Sequence, residues 1–481
     1  MGIFRTTDPT AWDDVDGIII NESAPAPNVA GVAANIAIMV AQAQRGPSAL
    51  TEVGSIGEFH ELYGKSDAFG ANKALKNKKF GRLRVIRVIA ADAVQASKAF
   101  QSSSTDRITF YAKQGKGAYG NNIQVKIEAG TTSGKKYTVK DTTPDSVMLQ
   151  EVYDNVVITA IAASNPFAGS KLISVVVNSD AAEPTNAAFT ALASGSDGTV
   201  VDGDYEDAIA MAEQEGAGNV LFLDAYNAAR NGYLEAHAAA TQDKMVILCG
   251  DEDDTVSDAV TDVASYRDTD GRVIYAYPWV QTSIGGELVY TPPASWLASI
   301  LSQTAPNVDP AAKKNSGFLF GVTGLKQSLS RANYIALKDA GICAFEHDSD
   351  IGYSVKSGVV TQIADSSKVM ILRRRMADFL TNSVAKYLKN YQNAVNSKEN
   401  RTLVQAAITR FDQSLEQAGI LPTDADVKTG KAKLIDTESL NTDDSIAAGF
   451  FKILYKRRIF SSMRYIVLSA EIGESVVVTE Q

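Results

Sequence analysis

Histidine and cysteine are scarce in this chain: His60, His237 and His347, with Cys249 and Cys343, are all that 481 residues contain. Two cysteines cannot build a disulfide framework. Each lies in an apolar run (Met245-Val-Ile-Leu-Cys249 and Gly341-Ile-Cys343-Ala-Phe345), the setting of a small buried thiol, and a long chain without disulfides fits a reducing cytosol. Three histidines leave little material for acid–base or zinc chemistry. No apolar run approaches the roughly 20 residues of a membrane-spanning helix. The opening MGIFRTTDPTAWDD lacks a cationic stretch followed by an apolar one, so no secretory leader or membrane insertion is expected and the protein is expected to be soluble. Positive charge is in deficit, with 46 Lys+Arg against 56 Asp+Glu and a net charge of −10. Nucleic acid is therefore not the expected main partner, since phosphate binding rests on clustered cations.

What is present is ordinary for a packed protein: 45% hydrophobic and 21% charged residues exclude disorder over most of the length. The length itself suggests about three domains. From 29 to 89 apolar and amphipathic segments alternate. A buried strand is expected at 36–41, a turn at Arg45-Gly46-Pro47, a helix opened by a Ser55/Glu58 capping box, a helix over 69–79 and a strand over 83–89. The alternation resumes with helices over 205–215, 233–241 and 256–266 and strands over 219–223, 245–249 and 273–277. That pattern predicts an α/β layer with a largely parallel sheet.

Residues 101–197 interrupt it. They are rich in Thr, Ser, Val, Gly and Asn, and the short alternating runs 107–111, 123–127 and 156–159 predict an inserted β-rich domain. After about 369 the period becomes helical over 376–391 (Phe379, Leu380, Val384, Tyr387, Leu388, Tyr391) and over 400–418 (Leu403, Ala407, Ile408, Phe411, Leu415), with Gly419 where a C-cap belongs. Strands over 451–455 and 463–468 complete an α+β C-terminal domain. The predicted organisation is an arm at 1–22, an α/β domain at 23–100 and 198–368, the insertion at 101–197, the C-terminal domain at 369–470 and a second arm at 471–481. The arms rest on two isolated β-branched runs, Ile18-Ile19-Ile20 and Val476-Val477-Val478. An unpaired strand is an exposed edge, so each run either tucks into its own domain or adds to a neighbouring subunit.

Candidate chemistry fails on context. Gly115-Lys-Gly117-Ala-Tyr-Gly120 matches a dinucleotide fingerprint, but Asn121 to Ile127 reads as a strand where a helix is required. Gly64-Lys65-Ser66 lacks the first glycine of a phosphate loop and follows a helix. Asp197 to Asp204 lacks calcium-loop spacing and reads as a turn with Asp204 capping the next helix, and Glu346-His347-Asp348-Ser-Asp350 reads as a solvated acidic loop. No catalytic, metal-binding or cofactor-binding residue is expected. Cations gather late in the chain: Arg373-Arg374-Arg375, Lys386 and Lys389, and Lys452, Lys456, Arg457 and Arg458. They form either a solvated face or a docking surface for an acidic protein.

The order of segments resembles the contractile tail sheath family of myophages and R-type bacteriocins. The matching residues are Ile36 through Gly46-Pro47, Thr51 through Tyr63-Gly64, Arg84-Val-Ile-Arg-Val88, Gly117-Ala-Tyr-Gly120-Asn121, Leu192 through Gly198 before Asp204-Tyr205, Ala340-Gly341-Ile342, the arginine run and Gln417-Ala-Gly419. The segments Gly352 to Gly358 and Ala394 to Asn400 depart from the family pattern. The resemblance implies stacked rings of this subunit around an inner tail tube protein, held by strand exchange through Ile18, Ile19, Ile20 and Val476, Val477, Val478. It further implies baseplate and tail terminator partners, a place in a virion tail assembled in the host bacterial cytoplasm, and contraction that drives the tube through a cell envelope for genome ejection. Lys452, Lys456, Arg457 and Arg458 are the expected tube-facing cations. The alternative from another class is a cytosolic α/β nucleotide-binding enzyme with an oligomerising C-terminal domain.

Overall fold

Six runs without a charged interruption at their centres form the parallel heart of one eight-stranded sheet. In spatial order the strands are Gly352–Val355, Ile342–Asp348, Val273–Tyr277, Met245–Cys249, Val220–Leu223, Ile36–Gln42, Arg82–Val88 and Thr51–Val53. The middle six run parallel, and the two edge strands are antiparallel to their neighbours. Met245–Cys249 and Val273–Tyr277 are buried at every position, as expected of strands covered on both faces. This computed structural model describes residues 29–144, 149–214, 216, 219–313, 317–365 and 367–463, and the backbone alone of 2–6 and 17–21.

Helices close both faces. Phe59 and Tyr63 of Ile56–Tyr63, with Trp296, Leu297 and Leu301 of Pro293–Gln303, fill one core; Tyr205 of Asp202–Ala210, Leu234 of Ala228–Thr241 and Leu337 of Arg331–Asp339 fill the other. Three boundaries differ from expectation for local reasons. The 69–79 helix is only Gly70–Leu75, because Asn77 takes a left-handed φ of 60°. The 233–241 helix starts at Ala228, since the Asn227 side chain accepts from the Arg230 N–H. The 205–215 helix starts at Asp202, so Asp204 lies within its first turn rather than at the cap; its carboxylate accepts from the Val201 N–H at 2.8 Å. At Ser55 half of the capping box forms: Ser55 Oγ accepts from the Glu58 N–H, but Glu58 Oε2 reaches past Ser55 to the Gly54 N–H at 2.7 Å.

Between Arg82–Val88 and Val220–Leu223 the chain builds two further sheets. One is three-stranded (Ile173–Val177, Thr105–Ala112, Ser97–Ser102) and the other four-stranded (Gln150–Val156, Lys135–Asp141, Ile123–Ala129, Ala187–Ala191). They share a core in which Phe110, Tyr137 and Phe167 meet edge to face or tilted, with ring centroids 5.4–5.7 Å apart. The strand expected over 156–159 ends at Val156 and gives way to a 3-10 turn, Ile158–Ala160.

The chain divides into two compact units, Ala33–Phe379 and Leu380–Ser461, the latter grouped with the described N-terminal residues. The second contains the Lys398–Gln417 helix, which buries Val404, Ala407, Ile408, Phe411 and Leu415; Leu403, expected on this face, stays 39% exposed. Gly419 has a φ of +68°, the left-handed step that ends the helix. Lys433–Asp436 pairs antiparallel with Leu454–Arg457, a strand placed later than the expected 451–455. Near the N-terminus Gly17–Asn21 pairs in parallel with Gly2–Thr6, Ile18 opposite Ile3, Ile19 opposite Phe4 and Ile20 opposite Arg5. That partner strand lies within the expected 1–22 arm, outside the β-branched run on which the arm was read. Val476, Val477 and Val478, and most of the strand expected at 463–468, lie outside the described residues.

Candidate functional site

An open α/β sheet binds ligands beyond the carboxyl ends of its strands, where the strand order reverses. Here the reversal falls between Ile36–Gln42 and Val220–Leu223. The residue leaving the second strand is Asp224, 5% exposed. Its Oδ2 accepts from the Gln42 N–H at 3.1 Å and its Oδ1 from the Tyr205 hydroxyl at 3.1 Å, while Gln42 Nε2 donates to that hydroxyl at 3.3 Å. Gly70 packs so closely that a Cβ there would come within 2.2 Å of Asp224 Oδ2. Burial pushes the Asp224 carboxyl up to about 6.

Beside it Arg87, 4% exposed, donates to the carbonyls of Ala43 (3.0 Å), Gly46 (3.1 Å) and Lys116 (3.0 Å), and the Gly46 N–H donates to Gln114 O at 2.9 Å. The inserted segment 114–116 is thus tied across the strand ends, and Arg45 adds an ion pair to Asp141 at 2.8 Å with both side chains buried. An open groove of about 890 Å³, with Pro47, Leu62, Ile89, Lys116, Lys171 and Met211 in its walls, borders these contacts. The glycines beside it, Gly115 and Gly117, lead through a 3-10 turn into the Ile123–Ala129 strand and not into a helix, so no helix N-terminus is presented to an anion there.

A buried carboxyl whose folded pKa exceeds its unfolded 3.8 binds protons more readily in the folded state, so its contribution to stability falls as pH rises from about 4 to about 6. Asp224→Asn is therefore expected to raise the unfolding free energy by about 1–3 kcal/mol at pH 8 and to leave it unchanged near pH 3.5. Thermal unfolding at the two pH values checks this, and an equal effect at both would assign the change to packing.

The remaining sequence candidates sit apart. His60 Nε2 lies 3.0 Å from Asn72 Oδ1, His237 is buried on the Ala228–Thr241 helix, and His347 packs on the Tyr353 ring at 4.6 Å. Among the described residues no group of three or more His, Cys, Asp and Glu is placed to hold a metal. Both cysteines are buried and unpaired, and burial raises both thiols well above their ordinary value. The expected acidic loop at 346–350 is corrected: Glu346 lies inside the Ile342–Asp348 strand, 5% exposed, with Lys313 and Lys356 each 2.6 Å from its carboxylate.

The cationic clusters are corrected too. The arginine run lies within the Ile371–Leu388 helix, not before it. Arg374 and Arg272 converge on Asp378, Arg272 through two bonds of 3.0 and 3.1 Å. Arg375 is buried among backbone carbonyls, and desolvation lowers its pKa to about 10, so it stays charged at neutral pH. Arg457 is also taken inside: its side chain is 2% exposed, 2.9 Å from Glu416 and 3.7 Å from Asp412. That removes it from the expected exposed set, whereas Lys452, Lys456 and Arg458 are exposed, Arg458 donating to Thr429 O at 2.7 Å.

The class these observations define is a doubly wound α/β body carrying inserted β-sheets. Among solved structures, that arrangement is shared with the sheath tail protein of Desulfitobacterium hafniense (18% identity, TM-score 0.61, 88% of this chain and 94% of that one). It is also similar to the sheath tail protein of Listeria innocua (14%, 0.63, 86% and 90%) and to the anti-feeding prophage helical sheath in its contracted state (17%, 0.60, 96% and 99%). No protein-family model matches the sequence and no curated protein does. The chain has the fold of sheath tail proteins.

Proposed function

We propose that this chain is the structural subunit of a contractile tail sheath: it polymerises as stacked rings around an inner tail tube, and contraction drives that tube through a bacterial cell envelope for genome ejection. The observation that carries this reading is the extent of the likeness, 96% of this chain against 99% of a contracted sheath subunit. An isolated resemblance of the α/β body would not reach both ends. The subunit works in a virion tail, assembles in the host bacterial cytoplasm and meets the tube, baseplate and tail terminator proteins. It uses no cofactor and catalyses no reaction. Against the nucleotide-binding alternative stands the glycine-rich segment Gly115 to Gly120, which leads into the Ile123–Ala129 strand and not into the helix that a pyrophosphate site needs.

Residues 1–22 and 471–481 serve as arms, 101–197 as the inserted domain and 369–470 as the C-terminal domain. Two small ribbons support strand exchange. The Gly2–Thr6/Gly17–Asn21 pair and the Lys433–Asp436/Leu454–Arg457 pair are each two-stranded among the described residues, so each can accept another strand through Ile18, Ile19 and Ile20 or through Val476, Val477 and Val478. Lys452, Lys456 and Arg458 are the proposed tube-facing cations, with Arg457 supporting the Leu454–Arg457 strand from within. Electron microscopy of the purified chain is expected to show long hollow cylinders, and deletion of 1–22 to leave a folded monomer that forms none. Discrete particles from the full chain overturn the sheath reading. Cylinders formed equally well by the truncated chain overturn the arm.

A further inference from the structure

The Ile173–Val177 strand closes one side of its three-stranded sheet and, among the described residues, pairs only with Thr105–Ala112. From Leu172 to Asn178 the sequence reads LISVVVN, without a charge, a proline or a glycine. Such an edge invites another strand, and proteins usually blunt it with a charge, a bulge or a residue that weakens pairing. Each of the other edge strands between 33 and 379 has one of these. Thr51–Val53 carries Glu52, Glu287–Thr291 carries Glu287, and Gly352–Val355 opens on glycine. Ser97–Ser102, Gln150–Val156, Ala187–Ala191 and Val322–Leu325 each shift register against their partners.

The register fixes which backbone groups are free. The Lys113 N–H donates to Leu172 O and the Asn178 N–H to Arg107 O, both at 2.8 Å. Antiparallel bonding alternates along a strand, so Ser174 and Val176 bond across to Tyr111 and Thr109, while Ile173, Val175 and Val177 turn their groups away from that partner. The Ile173 N–H is taken by Ser170 Oγ at 2.9 Å. What remains on the edge is the Ile173 carbonyl and both groups of Val175 and of Val177, with no partner among the described residues. Val176 is 49% exposed, and Val175 and Val177 are only partly buried against the insertion core.

Two copies of this edge complete each other. Set antiparallel about Val175, the Val175 N–H of each copy meets the Val175 carbonyl of the other, and each Val177 N–H meets the other copy's Ile173 carbonyl. Ser174 then lies opposite Val176 of the other copy, and only the Val177 carbonyls stay with water. We propose that this edge is a two-fold self-pairing site for a second copy of the chain and, resting on the sheath reading, that the second copy belongs to a neighbouring cylinder. Rings stacked around a tube all point the same way, so a two-fold pair has no place within one cylinder. Strands of five residues bury far less than the roughly 1,200 Å² of a stable interface, so two free copies pair weakly. A cylinder presents the edge many times over, and repetition turns a weak contact into firm side-by-side association.

Cysteine cross-linking of the full chain tests the register, since Cys249 and Cys343 are buried. Ser174→Cys and Val176→Cys chains, one of them tagged, are mixed and oxidised. Residues opposite each other in a non-hydrogen-bonded pair lie about 4.5 Å apart at Cα, so the mixed disulfide is expected to form about tenfold faster than either homodisulfide. Electron microscopy is expected to show parent cylinders lying side by side and Val176→Lys cylinders separate, with the two chains melting alike. Equal rates for all three disulfides would mean indiscriminate aggregation and overturn the proposal, as would parent cylinders that stay separate. A chain that forms no cylinders would overturn the sheath reading, and the disulfide rates would still decide the pairing.

Discussion

Arg375→Ala is expected to lower the unfolding free energy of the Ala33–Phe379 unit by about 3–5 kcal/mol. Arg375 is 2% exposed; its Nη2 donates to Leu301 O at 2.9 Å, Thr304 O at 2.8 Å and Ala34 O at 3.3 Å, and its Nη1 to Thr304 Oγ1 at 3.2 Å. The first two carbonyls close the Pro293–Gln303 helix, where the last turn has no further N–H to bond and carries the negative end of the helix dipole. One guanidinium therefore satisfies a helix end and the backbone entering the first strand of the sheet. Truncation leaves these acceptors buried without donors, at about 1–3 kcal/mol each before relaxation, and opens a cavity as well. Arg375→Lys keeps the charge but offers one nitrogen where a planar fork reaches several oxygens, so it should recover less than half of the loss. Urea unfolding followed by tryptophan fluorescence measures both variants. A loss under about 1 kcal/mol for alanine would mean that water replaces the guanidinium at all three carbonyls.

Lys78→Met is expected to act in the opposite direction, stabilising the same unit by about 3–5 kcal/mol below pH 7. The folded pKa of about 7 lies below the ordinary 10.5. Below pH 7 both folded and unfolded chains carry the proton, and the full cost of burying an unpartnered ammonium is present. Between about 7 and 10.5 the unfolded chain binds a proton that the folded chain does not, so the parent chain gains stability as pH rises. Above 10.5 both are neutral and the advantage of methionine shrinks to a packing difference. Unfolding curves of parent and variant at pH 6, 8.5 and 10.5 check the sign. A difference that does not shrink with pH would show that the ammonium is solvated in the folded protein.

The parallel strands were legible because burial on both faces leaves continuous apolar runs, and 245–249 and 273–277 were placed to the residue. Helix ends were less so. Asn227 and the Glu58 carboxylate each moved a boundary or a bond through a single side-chain contact, and Asn77 through a left-handed backbone step, none of which periodicity encodes. Leu403 was assigned to the buried face of its helix and Arg401 was not, yet Arg401 is 7% exposed and paired with Glu438 while Leu403 faces out. The contacts at the strand ends had little sequence signal: Asp224 and Gly70 carry no motif, Tyr205 entered only within the family-like Asp204-Tyr205 pair, and only the fold brings the three together.

Charge separates what the sequence determined from what folding decided. Hydrophobic order along the chain was enough for the α/β body, the β insertion and the long C-terminal helices, because burial of apolar surface follows a local period. The fate of each cation was not. Arg375 and its run-mate Arg373 read identically in the sequence, as do Arg457 and Arg458. Arg375 is internal because its acceptors arrive from 71, 74 and 341 positions away, and Arg457 because Asp412 and Glu416 face it across the small unit. A buried charge is stabilised only where distant groups replace its water, and tertiary packing alone brings those groups together.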